Sequence, residues 1–265
     1  MEREELIILY TQDQRIAVTY PDMQRQVTPD VVRHVGLPGS RGGAILYSHL
    51  TQDNVDRVIR EQVEYFQGLG QDFEWKYYDY DSPPDLKERL VAAGFQAGEA
   101  EAVLALDVQK APAILRQPVV QDVRQISDPE LIEDVLTVQH QVWHEEFLGL
   151  RKYLVDTLRE YPQQMCIYVA YVDEVPACSA WVFFPSESQF AGLWGGSTLE
   201  AYRKRGLYTA LLAVRLQEAA RREVPFLTVD ASPMSRPILE KYGFQFLANS
   251  YPFEWQVKQD EHSLN

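Results

Sequence analysis

The sequence predicts an α+β fold built around a mixed sheet, and three observations support this prediction. From residue 119 onward, apolar runs of strand length alternate with segments whose apolar residues recur at helical spacing. Two of these runs are separated only by Asp173-Glu174, which is typical of a hairpin and therefore of antiparallel strands. Another run leads through a polar loop into a helix that starts beside Gly206. Helices packed on a mixed sheet account for this order.

The elements of the second half follow one another closely. Ser127-Asp128-Pro129 supplies a cap and an early proline for the first helix, and Gly243 ends the last one. The strands are apolar runs, predicted at residues 119–126, 166–172, 177–184, 190–198, 226–230 and 244–257, the last being one strand or two. The helices each have an apolar face, and they are predicted at residues 131–146, 153–161, 207–219 and 235–242.

In the first half of the sequence we predict a shorter version of the same order of strands and helices. Strands are predicted at residues 44–50 and 73–78, with helices at 53–66 and from Asp85 onward. Gly-Phe-Gln follows the helix at Asp85, just as it follows the helix before Gly243. A Gly-Phe pair after a helix is also a common C-cap with a hydrophobic contact, so the repeat has two explanations. The proline-bounded segment 108–117 predicts a linker between domains at 1–110 and 118–265.

Composition excludes several classes of protein. With 46% hydrophobic and 24% charged residues, the chain of 265 residues is that of a folded protein, not a disordered one. Neither a signal peptide nor an apolar stretch of membrane-spanning length is found, and Cys166 and Cys178 predict reduced thiols, so we expect a cytoplasmic protein. A net charge of −14 argues against nucleic-acid binding.

The loop before Gly206 has the composition of an anion site. Arg203-Lys204-Arg205 places three cations directly before the start of a helix. A helix start offers backbone N–H groups without intrahelical partners, and Gly206 lets an anion approach the main chain because it has no Cβ. A solvated basic loop is the ordinary explanation of such a triplet. The glycine and the helix together favour a diphosphate site.

This loop resembles the acyl-CoA motif of the GNAT acetyltransferase superfamily, which is Arg or Gln, two residues, Gly, one residue, then Gly or Ala. Arg203 and Gly206 fit the motif, whereas Tyr208 replaces its last small residue. A second resemblance lies at residues 230–244, where the family has a strand-end Asn and a helical Tyr that three residues separate from Gly-Phe. Ser232 stands at the Asn position and Leu239 at the Tyr position.

The resemblance implies a tandem GNAT-like acyl-CoA N-acyltransferase fold, whose first half is degenerate. There the connection Thr51-Gln52 is short and lacks glycine, so no cofactor loop is expected. Gly195-Gly196 would admit the pantetheine arm beside the strand, or would form a β-bulge, or both. Backbone N–H groups near Thr198 would polarise the thioester carbonyl. The implied acetyl-CoA contacts are Thr198, Leu199, Arg203, Lys204, Arg205, Gly206, Leu207, Tyr208 and Thr209.

The catalytic groups are less well defined. The strand at 190–198 lacks the carboxylate that relatives often use as a base, so Glu145 or Glu146, acting through a water, and Ser232 are the candidates. Tyr242 lies one position, about 100° of helix, from the residue at the usual tyrosine position, so it should not be the proton donor. His140 and His144 have helical zinc-pair spacing, but Gln141 replaces the required Glu and no metal is expected.

The resemblance implies an N-acetyltransferase that moves an acetyl group from acetyl-CoA directly to an amine of a small molecule or peptide. Its partners would be acetyl-CoA and the amine, with neither nucleic acid nor membrane. The alternative is a non-catalytic acyl-CoA sensor or interaction module, which the absent tyrosine and strand carboxylate favour.

Overall fold

The computed structural model describes residues 1–38, 42–144 and 149–257. The chain forms two units, one of residues 1–102 with 248–265 and one of residues 103–247. These units differ from the predicted domains at 1–110 and 118–265. The last strand is divided between the two units, and residues 103–117 belong to the second unit. Within the described ranges, no helix combines the length and apolar character needed to cross a membrane.

The first unit is a sheet with two larger helices. Its strands are β1 (Met23–Val27), β2 (Val31–Gly36), β3 (Gly43–Ser48), β4 (Phe73–Tyr78), β5 (Gln96–Ala97) and the unit's part of β12 (Gln245–Trp255). Its helices are α1 (Arg3–Tyr10), a π-helix (Thr11–Ala17), α2 (Val55–Leu69) and α3 (Leu86–Ala92). The strands run in the order β1-β2-β3-β4-β12, with β5 beside β12. The pair β3–β4 is parallel and is connected through α2, and the other pairs are antiparallel.

One apolar face of α2 fills the core of this unit. Val55, Val58 and Phe66 of α2 are fully buried, and the Phe66 ring stacks on Phe73 of β4 at 4.2 Å. The helix ends at Gly70, whose φ of +64° is the left-handed conformation of a C-cap. The connection from β3 spans residues 49–54, so it is longer than predicted, although it contains neither glycine nor Lys or Arg.

The second unit has the mixed sheet that the sequence predicts. Its strands are β6 (Glu101–Asp107), β7 (Asp122–Ile126), β8 (Met165–Val172), β9 (Val175–Phe183), β10 (Phe190–Thr198) and β11 (Phe226–Ala231). Its helices are α4 (Ala113–Arg116), α5 (Ile132–Trp143), α6 (Leu150–Glu160), α7 (Leu207–Arg221) and α8 (Arg236–Lys241). The order is β6-β11-β10-β9-β8-β7, with β10–β11 parallel and β7 to β10 antiparallel.

The proline-bounded segment 108–117 is packed, so the prediction of a linker there is wrong. It forms a 3-10 turn at Val108–Lys110 and then α4, in which Leu115 is completely buried. The Gln217 side chain of α7 donates to the carbonyls of Leu115 and Gln117 at 3.1 and 2.8 Å. Pro112 and Pro118 flank the short helix α4 inside the second unit and do not mark a boundary of that unit.

Candidate functional site

A β-bulge interrupts β10 at two consecutive glycines. Pairing with β9 shifts register between Trp194 and Ser197, and pairing with β11 is recorded only from Phe190 to Gly192. Gly195 has a φ of +60°, and a Cβ there would lie 1.8 Å from the Trp181 ring, so the position requires glycine. The β-bulge, one of the two alternatives for Gly195-Gly196, is therefore present, and pairing of β10 with β11 has already ended before it.

The N–H groups after the bulge point in alternate directions. The Leu199 N–H donates to the Ala177 carbonyl at 3.0 Å, on the β9 side. Because successive N–H groups of a strand alternate in direction, the Thr198 N–H points away from β9, toward the side where pairing with β11 has ended. Thr198 therefore fits the expected carbonyl-polarising role, whereas the Leu199 N–H is already engaged.

The loop from β10 to α7 contains two residues in the left-handed conformation. After a 3-10 turn at Glu200–Tyr202, Lys204 has φ +64° and Gly206 has φ +79°. A non-glycine residue with positive φ costs free energy and is concentrated at ligand sites. Arg203, Lys204 and Arg205 are all exposed, and the Arg203 Nε donates to the Thr198 carbonyl at 3.3 Å. A backbone of this kind with exposed cations beside it can bind an anion.

The start of α7 is not capped by a side chain in the described structure, and its first turn contains no acidic residue. The side chains of Leu199 and Leu207 are buried, so these two residues can offer a ligand little beyond their backbone. The Thr209 hydroxyl is 2.9 Å from that of Tyr242, which ties Tyr242 to the first turn of α7. The predicted cofactor residues, Thr198, Leu199 and 203–209, thus lie on one continuous strand end, loop and helix start.

The ring of Tyr208 packs against Gly196, where the strand has no side chain. A Cβ on Gly196 would lie 3.0 Å from the Tyr208 ring, so the missing side chain on the strand makes room for the tyrosine on the helix. This contact explains how a large residue replaces the small one of the motif. Burial raises the pKa of Tyr208 above its usual value near 10, so its hydroxyl is protonated at neutral pH.

A buried polar network holds the bulge from α5. The Gln139 amide donates to the Gly195 carbonyl at 2.6 Å and to the Ser179 hydroxyl at 2.9 Å. The Ser197 hydroxyl donates to Gln139 Oε1 at 3.2 Å and accepts from the Trp143 indole at 2.9 Å. Sequence reasoning missed these residues, because a single Gln on a helix carries no pattern that distinguishes it.

Of the catalytic candidates, the structure describes only Ser232. Glu145 and Glu146 lie outside the described residues. The Ser232 hydroxyl lies 3.2 Å from that of Ser235 and accepts the Ser235 N–H at 3.3 Å, which makes it part of the turn before α8. Leu239 is fully buried.

The two cysteines, Cys166 and Cys178, are separate, buried thiols in the described structure. Burial raises the pKa of Cys178 to about 11. Across residues 1–38, 42–144 and 149–257, no three His, Cys, Asp or Glu side chains are grouped as metal ligands would be.

Comparisons with solved structures identify this architecture. A GCN5-related N-acetyltransferase from Kribbella flavida matches with a TM-score of 0.66 at 14% identity, covering 94% of each chain. A tandem GNAT protein from the clavulanic acid biosynthesis pathway matches with a TM-score of 0.59 at 14% identity, covering 92% of this chain and 86% of the other. The chain has the tandem GNAT fold.

A third structure with this fold comes without an assigned activity. It is a functionally unknown conserved protein from Staphylococcus epidermidis, with a TM-score of 0.68 at 14% identity over 90% of this chain and 96% of the other. Neither the family models nor the curated proteins give a match to the sequence. At such identities the likeness establishes the GNAT fold and not the chemistry.

Proposed function

We propose that this protein is an acyl-CoA-dependent N-acyltransferase that uses acetyl-CoA. One observation carries the proposal: a parted strand, a loop with left-handed Lys204 and Gly206, and an uncapped helix start follow one another without interruption. The loop and helix N–H groups would bind the diphosphate, with Arg203 to Arg205 contributing charge. The open side of β10 would pair with the pantetheine arm. That GNAT-fold neighbours carry the name N-acetyltransferase agrees with this assignment.

The proposed reaction is direct transfer to an amine. The amine nitrogen would attack the thioester carbonyl, whose oxygen the Thr198 N–H would polarise. The carbon–sulfur bond then breaks, and the leaving thiolate takes a proton. Tyr208, which lies against Gly196 and keeps its proton, is our candidate donor, since Leu239 occupies the usual tyrosine position. Deprotonation of the amine is assigned to Glu146 through water, and Ser232 is the weaker candidate because its hydroxyl is held in a turn.

The acceptor is proposed to be an amine of a small molecule or a peptide, and the protein is proposed to work in the cytoplasm. A non-catalytic acyl-CoA sensor is the second candidate, favoured by the buried Leu239 and by the absence of Asp and Glu from β10. CoA release in the presence of amino acids, polyamines, aminoglycosides and peptides distinguishes the two. A sensor would bind acetyl-CoA and release none with any of them.

Binding is tested first. Acetyl-CoA at about 100 times its dissociation constant should add about 2.7 kcal/mol to the free energy of unfolding. Calorimetric titration should give one site per chain, because residues 49–54 of the first unit lack glycine and cations. Pantetheine is the matched control: without the diphosphate it should produce little or no thermal shift. If millimolar acetyl-CoA leaves the melting temperature unchanged, or if two sites titrate, the proposal is wrong.

A further inference from the structure

The geometry points to Gln139 as a positioning residue, which fixes the orientation of the Gly195–Gly196 peptide in the bulge of β10. This inference rests on the proposed function for its catalytic consequence, although its structural part can be measured without any ligand. Gln139 lies on α5 with only 3% of its surface exposed, and its amide is hydrogen-bonded to Gly195, Ser179 and Ser197.

The two faces of the sheet can be assigned from alternation along the strands. Ser179 of β9 and Ser197 of β10 are opposite each other and both contact Gln139, so they lie on the α5 face. Their neighbours Cys178 and Thr198, whose side chains are 3.0 Å apart, therefore lie on the other face. Tyr208 contacts the Cβ direction of Gly196 from α7. Gln139 thus acts on the bulge from one face of the sheet only.

The contact from Gln139 to the Gly195 carbonyl determines where the Gly196 N–H points. In a trans peptide the carbonyl of one residue and the N–H of the next point in opposite directions. The Gly195 carbonyl is directed to Gln139, so the Gly196 N–H is directed away from α5. A glycine pair has little conformational preference of its own, so the orientation of this peptide depends on an outside contact. The 2.6 Å bond from Gln139 is that contact.

The direction of the amide is itself fixed by Trp143. An indole N–H can only donate, so Ser197 accepts from Trp143 and directs its own O–H to Gln139 Oε1. The amide NH₂ must then face Gly195 and Ser179, both of which can accept. Reversing the amide would place its oxygen against the Gly195 carbonyl oxygen. The network therefore has one satisfied arrangement, and it holds the Gly195 carbonyl on the α5 side.

Gln139→Glu is the sharpest test, because it keeps the shape and removes both N–H donors. The Gly196 amide resonance should move in a ¹⁵N-labelled protein without ligand, and its hydrogen exchange should become about tenfold faster or more as the bulge opens. In the proposed reaction kcat should fall about tenfold or more. Affinity for CoA should change less than about threefold, since the diphosphate loop is not touched.

Ser179→Ala is the matched control, because it removes a partner of Gln139 and leaves the Gly195 bond in place. Its Gly196 resonance, exchange and kcat should stay close to the parent. Gln139→Leu provides a second variant if Gln139→Glu fails to fold. An unchanged Gly196 resonance and exchange rate in a folded Gln139 variant would overturn the inference, whatever happens to kcat. Failure of the proposed function looks different: the parent would not bind CoA, while the Gly196 measurements would still respond.

Discussion

The two units repeat one succession of elements and differ where the chain enters the first helix of that succession. In each, a strand leads through a helix to a parallel neighbour, and a later helix ends at a left-handed glycine followed by a buried phenylalanine, Gly94-Phe95 and Gly243-Phe244. At the start of α2, however, residues 49–54 supply no glycine and no Lys or Arg. At the start of α7, left-handed Gly206 follows three cations.

The polar groups near α2 are occupied by one another. Asn54 Oδ1 accepts the Thr51 N–H at 2.8 Å, and the Asn54 amide donates to Asp30 at 3.0 Å. Arg57 pairs with Asp30, and Asp56 pairs with Arg89. Carboxylates at this helix start would also repel a diphosphate. Both units therefore have a strand, a connection and a helix in the same order, and under our proposal only the connection to α7 has residues suited to an anion.

A second difference concerns the arginine that each unit buries. The Arg15 guanidinium makes two 2.8 Å bonds to the carboxylate of Asp81 and lies 3.9 Å from the Tyr78 ring. Arg215 of α7 instead contacts the carbonyls of Leu211 and Trp181, at 2.9 and 3.4 Å. Burial lowers the pKa of Arg215. At Arg15 burial also lowers the pKa, but Asp81 together with Tyr80 and Tyr78 outweighs it, so the pKa is raised.

The largest effect should come from removing these buried charges. Arg15→Met should lower the free energy of unfolding by about 3–5 kcal/mol, because Asp81 would be left buried and unpaired. Arg215→Met should lower it by less than about 1 kcal/mol or raise it, because no carboxylate loses its partner there. Urea unfolding measures both. The double variant Arg15→Met/Asp81→Leu should recover most of the loss, and equal losses at the two arginines would refute the distinction.

Gly206→Val should weaken CoA binding about 100-fold or more, which is about 2.8 kcal/mol. The new side chain would stand where the diphosphate meets the main chain, and it would strain a φ of +79°. Gly70→Val, at φ +64° after α2, imposes comparable strain in open space. It should cost stability but leave the dissociation constant measured by calorimetry unchanged. Similar binding losses in both variants would mean that backbone strain, and not the loss of space for the diphosphate at Gly206, explains the effect.

Arg203→Ala should have the smallest effect, a weakening of CoA binding by about 0.5–1 kcal/mol that shrinks as salt is added. Its side chain is exposed, so its charge is screened by solvent. Arg57→Ala, in the first turn of α2, is the corresponding variant in the other unit and should leave the dissociation constant unchanged. A salt-independent loss at Arg203 would indicate that its backbone contact to Thr198 matters more than its charge.

Local features of this site were predictable from the sequence. The strand 190–198 and the helix starting after Gly206 occur as predicted, since hydrophobic periodicity and a glycine that must adopt positive φ act over a few residues. The network at Gln139 was not predictable, because its partners are 40 to 58 residues away along the chain. The assignment of the last strand to both units could not be predicted for the same reason. Pairing of Pro252 with Lys76 assigns the end of β12 to the first unit, and no local pattern shows that pairing.

The division of β12 between the two units affects the order in which they can fold during synthesis. Phe253 and Trp255 belong to the core of the first unit and lie beside β4, yet they are synthesised after the whole of the second unit. On the ribosome, therefore, the first unit cannot complete its sheet while the second is being translated, and β4 waits with an unpaired edge. A fragment of residues 1–110 would keep that edge open permanently, so we expect it to aggregate where the full chain does not.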